Sequence, residues 1–195
     1  MTKGLRFVEN ISSLSKSEFE TLTKDLNSPF INYDFLSSLE LSKCVTSLTG
    51  WQPNHLISNE NNKLNGFMPL YLKDNSQGEF VFDHSWSYAL NRAGRKYYPK
   101  LLSAIPFTPC ESEKIIGNKL NNLFIKEVIE FMNLNKIETW HILFPDKNLK
   151  GDLRENNFIE RNGYKFVWKN KGYDTFEDYL NIFKSRQRKN IRTER

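Results

Sequence analysis

YYPKLLSAIPF (97–107), EKIIGNKLNNLFIKEVIEFMN (113–133) and ETWHILF (138–144) follow one another in the chain, and their reading decides the fold. The first is an extended apolar run that ends at Pro106 and Pro109, where extended or turn backbone is favoured. In the second, Ile116, Leu120, Leu123, Phe124, Val128 and Met132 recur at spacings of three and four, which predicts the longest helix, with one face covering a sheet. The third reads as a strand stopped by Pro145. Strand, long helix and strand in succession indicate an α/β chain.

Working outward toward the N-terminus, LRFVENI (5–11) alternates as a first strand. Ser15 and Glu18 then form a capping box before Phe19, Leu22 and Leu26. Ser28-Pro29 breaks that helix, and Asn32 caps a second one with the stripe Phe35, Leu36 and Leu39, so two helices follow the first strand. NHLIS (54–58) and GFMPLYL (66–72) flank the polar NENNKLN, the pattern of a hairpin. KDNSQGEFVFDHSWSYALNRAGRK (73–96) has aromatics, glycine and charge but no sustained period beyond a short helix over 85–92, and reads as an insertion or active-site loop.

Toward the C-terminus a short helix near 148–155 precedes FIERNGYKFVWKN (158–170), where Asn162-Gly163 predicts a turn pairing two more strands. Thr175 with Asp178 opens a last helix, with stripe Phe176, Tyr179, Leu180 and Phe183, that runs directly into KSRQRKNIRTER (184–195). Those last twelve residues hold six Lys and Arg against Glu194 alone, which accounts for the whole net charge of +5. The remainder is neutral, so its composition does not suggest a nucleic-acid-binding body.

A chain of 195 residues supports one sizeable core with an appendage. Without a 20-residue apolar run or a leader-like first segment, the chain is expected to be cytoplasmic and not inserted in a membrane. Cys44 and Cys110 stand far apart and read as plain thiols, and the three histidines lack metal-ligand spacing, so no metal is expected. His55 and His141 read as hydrogen-bonded structural histidines. No Walker A, GxGxxG or GxSxG string supports a kinase, dehydrogenase or hydrolase.

The order β, α, α, β, β, β, long α, β, short α, β, β resembles the GNAT-type acyl-CoA N-acyltransferase fold, a mixed and mostly antiparallel central sheet flanked by helices. GWQPNHL (50–56), PLYLKDNSQGEFVFDHSW (69–86), YYPKLLSAIPFTP (97–109) and RQRKNIRTER (186–195) resemble the FemAB-like, peptidoglycan biosynthesis/recognition proteins. That resemblance implies two GNAT-like halves, of which residues 1–173 would form the first. Residues 174–195 would then be a basic helical segment beginning a second, and the helical pattern without a stop signal at Arg195 agrees. It also implies acyl or aminoacyl transfer to an amine, with acyl-CoA or aminoacyl-tRNA as donor and a small molecule or peptidoglycan precursor as acceptor. One departure bears on the cofactor. After PFTP the family continues Gly-Pro-Arg, whereas this chain has Cys110-Glu111-Ser112-Glu113. Residues 106–114, read as the segment opening the long helix, thus offer two prolines without N–H groups and two glutamates, a poor cradle for a pyrophosphate.

Amine acylation needs a base, oxyanion donors and an acid for the leaving group. The insertion and the YYPK string hold the candidates: Glu79 or His84 as base, a tyrosine of Tyr97 and Tyr98 as acid, with Asp83 and Tyr88 nearby. Trp86 fits either a core position or a surface that stacks on a sugar or peptide substrate, while Lys100, Arg186, Arg188 and Lys189 are expected to contact substrate, including the phosphates of a nucleotide-linked precursor or of tRNA. The same basic residues also fit a solvated helix face. The alternative function is a non-catalytic substrate-recognition domain.

Overall fold

In the structure, a computed structural model that describes residues 4–26, 28–164 and 166–195, the elements follow from local signals in the order expected as far as residue 155. β1 (Gly4–Val8) leads to α1 (Lys16–Thr23), capped by the Ser15 hydroxyl, which accepts from the Glu18 N–H at 3.4 Å. α2 (Tyr33–Leu41) is capped by Asn32 Oδ1, which accepts from the N–H groups of Asp34 and Phe35 at 2.8 and 3.2 Å. Then come β2 (Gln52–Pro53), β3 (His55–Glu60), β4 (Lys63–Met68), β5 (Tyr71–Lys73), α3 (His84–Arg92), β6 (Lys100–Ser103), α4 (Asn121–Asn135), β7 (Trp140–Ile142) and α5 (Lys147–Glu155). The chain divides into two compact units, Met1–Ile159 and Glu160–Arg195; the second holds α6 (Phe176–Asn181) and α7 (Ser185–Glu194). Among the described residues no helix is long and apolar enough to cross a membrane.

The strands of the first unit form two sheets. One is antiparallel, in the order β1-β3-β4; the other runs β2-β5-β6-β7, with β5 antiparallel and β7 parallel to β6. The apolar run 66–72 is split between them at Pro69-Leu70, because proline has no N–H to continue a ladder. The Leu70 N–H instead donates to Nδ1 of the buried His55, whose Nε2 lies 3.0 Å from Glu40 Oε1, so that histidine is a satisfied core residue.

Strand alternation assigns each residue of the second sheet a face. Leu72, Leu101, Trp140 and Ile142 face α4 and α5, packing on Phe124, Ile125, Val128, Leu149 and Leu153. The opposite face carries Tyr71, Lys73, Lys100 and Leu102, with His141 in register beside Leu102. Leu39 of α2 packs on that side. Trp51, Phe144 and Val81 of the loop after β5 cover the rest of it.

Four expectations change. The strand of 97–107 contracts to Lys100–Ser103, because Pro99 before it has no N–H to extend the ladder and the chain turns away after Ser103. The long helix begins at Asn121 rather than near 113; Gly117 and Lys119 hold φ of 124° and 55°, which no right-handed helix contains, and Ile116 is instead bridged to Phe67. The hairpin at Asn162-Gly163 is absent from the described residues of 158–170, Lys165 lying outside them. Tyr164 and Phe166 are fully exposed, and a two-stranded ribbon without an apolar face to bury has little stability of its own. Finally, the last helix breaks at Ile182–Lys184 into α6 and α7.

Candidate functional site

Lys73 of β5 and Lys100 of β6 are direct cross-strand partners, both fully buried. Two ammonium groups opposite each other repel, and burial removes the water that would screen them. The loop after β5 compensates by folding Ser76, Glu79 and Asp83 back over that face. Lys100 Nζ donates to Glu79 Oε2 at 2.8 Å, Asp83 Oδ2 at 2.5 Å and Ser76 Oγ at 2.8 Å, which uses all three of its protons. Lys73 Nζ donates to Gln77 O at 3.2 Å and sits 3.8 Å from the Trp51 ring centroid; Trp51 Nε1 donates to the same carbonyl.

Tyrosines and a histidine complete the network. The Tyr97 hydroxyl donates to Asp83 Oδ2 at 2.6 Å, which leaves its oxygen to accept from His141 Nε2 at 3.0 Å and fixes a proton on that nitrogen. Ser76 Oγ donates to Asp83 Oδ2 at 2.8 Å, so the Tyr98 hydroxyl, 2.7 Å away, donates to Ser76. Asp83 Oδ2 thereby receives three donors. Asp83 Oδ1 and Glu79 Oε1, both buried, receive none from the described residues.

This asymmetry drives the two carboxylates apart in acidity. Burial raises the pKa of Glu79, and the opposing attraction of Lys100 does not cancel it. Burial pushes Asp83 the same way, but its bonds from Lys100, Tyr97 and Ser76 outweigh that and hold it down at about 2. Burial lowers Lys73 to about 8 and, with the bond to Asp83, raises Tyr97 well above the ordinary phenol range. Two carboxyl groups pushed in opposite directions can divide the roles of base and fixed charge.

Exposed aromatics border the loop: Phe80, Phe82, Trp86 and Tyr88. Gly78, at φ 76°, lies against the Phe107 ring, where a Cβ would come within 2.6 Å. Phe80 and Phe107 each hold φ of 57°, a strained conformation for so bulky a residue.

Of the expected catalytic residues, Glu79, Asp83, Tyr97 and Tyr98 meet in this network. Lys100, expected at the substrate, is its buried hub. His84 and Trp86 instead stand exposed on the first turn of α3, outside the network. Arg186, Arg188 and Lys189 belong to α7 in the second unit. Ser76, Lys73 and His141 were not singled out as site residues; the available signal was a lysine alternating with buried Tyr71 at the end of an apolar run.

The segment between β6 and α4 has a separate anchor. Ser112 bridges to Pro145 after β7, and the buried Lys114 Nζ donates to Ser112 O at 2.9 Å, Ser112 Oγ at 2.7 Å and Phe144 O at 3.0 Å. Burial lowers Lys114 to about 8. At the first turn of α4, Asn121 Nδ2 donates to Asp152 Oδ2 at 2.6 Å and Asn156 Nδ2 to Asn122 Oδ1 at 2.7 Å.

A family model described as peptidoglycan biosynthesis/recognition, FemAB-like, matches residues 10–195. The chain belongs to the FemAB-like family. No curated protein matches this FemAB-like chain. A solved structure similar to it is the apo aminoglycoside antibiotic 6'-N-acetyltransferase AAC(6')-IG from Acinetobacter haemolyticus, with 10% identity and a TM-score of 0.41 over 88% of this chain and 99% of that one.

Proposed function

We propose that the first unit of this FemAB-like protein is an N-acyltransferase domain that receives an amine of a peptidoglycan-like precursor at the Lys100–Glu79–Asp83 network. The observation carrying this reading is Glu79, a buried carboxylate of raised pKa with one oxygen on Lys100 and the other without a partner among the described residues. Glu79 Oε1 takes a proton from the acceptor ammonium. The freed nitrogen attacks the acyl carbonyl, the bond from carbonyl carbon to leaving group breaks, and the leaving group takes up a proton. Tyr98, half-buried at the edge of the network, gives up the proton it shares with Ser76 and takes its replacement from the attacking nitrogen, which sheds a second proton as it becomes the amide. Asp83, Tyr97 and Lys100 position Glu79, while Trp86 with Phe80 and Phe82 stacks on the acceptor.

The residues do not suit a coenzyme A pyrophosphate. The Asp152 carboxylate lies at the first turn of α4, Pro106 and Pro109 lack N–H groups, and Glu111 and Glu113 add negative charge. No step here runs through coenzyme A; an ester such as aminoacyl-tRNA is the donor chemistry that remains. The same misfit favours a second reading, a domain that recognises the precursor without acylating it.

The chain mixed with an amine-bearing muropeptide and either aminoacyl-tRNA or acetyl-CoA separates these readings by mass spectrometry. Transfer is expected with aminoacyl-tRNA, slowed about 100-fold or more by Glu79→Gln. Muropeptide binding without product from either donor supports recognition alone, and product from acetyl-CoA overturns the donor assignment.

A further inference from the structure

Amine transfer at Glu79 requires access to a carboxylate that the structure shuts away. Glu79 is 3% exposed, and its Oε1, without a partner among the described residues, is buried. The segment that carries it is held at two points. Upstream, the Gln77 carbonyl accepts from Trp51 Nε1 at 3.0 Å and from Lys73 Nζ at 3.2 Å; downstream, Asp83 Oδ2 accepts from Lys100, Tyr97 and Ser76. Between these anchors Gly78 lies beneath the Phe107 ring, where a Cβ would come within 2.6 Å, and Phe80 is 61% exposed at φ 57°. Phe107 itself comes from a turn over residues 105–108, in which the Thr108 N–H donates to Ile105 O at 3.2 Å. Pro106 takes the second place of that turn and Phe107 the third, where its positive φ of 57° ordinarily selects glycine. Glycine thus stands where a ring must approach, and phenylalanine where the backbone calls for glycine. The Phe107 ring, 40% exposed, lies 5.4 Å from that of the buried Trp51.

We infer that residues 78–80 and Phe107 form a gate to Glu79: the Phe107 ring lifts from Gly78, and 78–80 swings outward between the Gln77 and Asp83 anchors. Two opposed effects govern it. Closing packs the Phe107 ring on Gly78 and Trp51 and joins Glu79 to Lys100, yet it forces two bulky residues into left-handed backbone, which opening relaxes. A closed form both packed and strained has an open form within reach while the sheet beneath stays folded. The inference rests on the amine-acceptor reading, since that reading requires Glu79 to be reached. The open gate admits the acceptor ammonium, and closing again excludes water.

Carbodiimide-driven coupling of glycine ethyl ester to the carboxyl groups of the full chain, mapped by mass spectrometry at several urea concentrations below the unfolding midpoint, tests the gate without donor or acceptor. Glu79 is expected to label through a local opening, with a urea dependence well below that of global unfolding. Asp83, an anchor outside the gate, is expected to label only with global unfolding and serves as the reference. Relative to Asp83, Phe107→Ala is expected to speed Glu79 labelling about tenfold by removing the ring that holds Gly78 down. Phe80→Gly is expected to slow it about fivefold, because glycine accepts the positive φ of the closed form and the ring removed is an exposed one. Phe80→Gly keeps the test available if Phe107→Ala unfolds the chain. Equal urea dependence for Glu79 and Asp83, or a Glu79 rate that the folded variants leave unmoved or move the opposite way, would overturn the gate. Local labelling of Glu79, found together with a pH profile of transfer that Glu79→Gln does not alter, would uphold the gate and remove the catalytic role of Glu79, so the two failures are told apart.

Discussion

Lys100 shows what a buried charge demands of its surroundings. With its side chain and those of Glu79 and Asp83 at 0–1% exposure, Lys100→Met leaves two carboxylates without their cation and should cost about 3–5 kcal/mol in urea unfolding. Adding Glu79→Gln and Asp83→Asn should recover most of that loss; no recovery would mean that packing of the lysine stem, rather than its charge, is what the site needs. A second residue-scale prediction concerns Lys73 and Lys114, both lowered by burial to about 8. Between pH 8 and about 10 the unfolded chain keeps these protons and the folded chain releases them, so the unfolded state binds more protons and stability rises with pH. Lys73→Met and Lys114→Met should each flatten that rise in denaturant titrations, whereas an unchanged slope would show that neither group is perturbed. Glu79, Asp83, Tyr97, Tyr98 and Lys100 were legible as candidates because polar groups interrupt an aromatic, aperiodic stretch. Lys73 and His141 were not, because their place in the site depends on strand register, which no local pattern specifies.

Among the elements, those with complete local signals form where expected. The caps at Ser15, Asn32 and Thr175 all make their hydrogen bonds. Asn162-Gly163 carried an equally clear turn signal yet no ladder forms among the described residues, since pairing depends on an apolar face that must be buried and the side chains of Tyr164 and Phe166 lie open. The late start of α4 reflects packing that sequence spacing hides. Gly117 sits at φ 124° with its Cα against β4, and a Cβ there would come within 2.5 Å of the Asn65 carbonyl oxygen. Gly117→Ala should therefore destabilise the protein by about 2 kcal/mol or more, read as a lowered urea midpoint at unchanged slope. A midpoint equal to that of the native chain would show that β4 yields to the methyl group.

For the whole molecule, charge and structure divide in the same place. The neutral first unit holds both sheets and the buried network, and the basic second unit holds, among the described residues, two helices and no strand. Limited trypsin digestion should cut first within residues 161–171, at Arg161, Lys169 or Lys171, and leave a first unit that still melts cooperatively. Early cuts inside β3 to β6 would contradict this division. The most direct test of the amine-acceptor reading is the pH dependence of kcat/KM for acyl transfer by the full chain, compared with Glu79→Gln. The native profile should rise through a group titrating above the ordinary glutamate value of 4.5, and Glu79→Gln should abolish that limb and lower the rate about 100- to 10,000-fold. Superimposable profiles would show that Glu79 is part of the buried ion-pair framework and not the base.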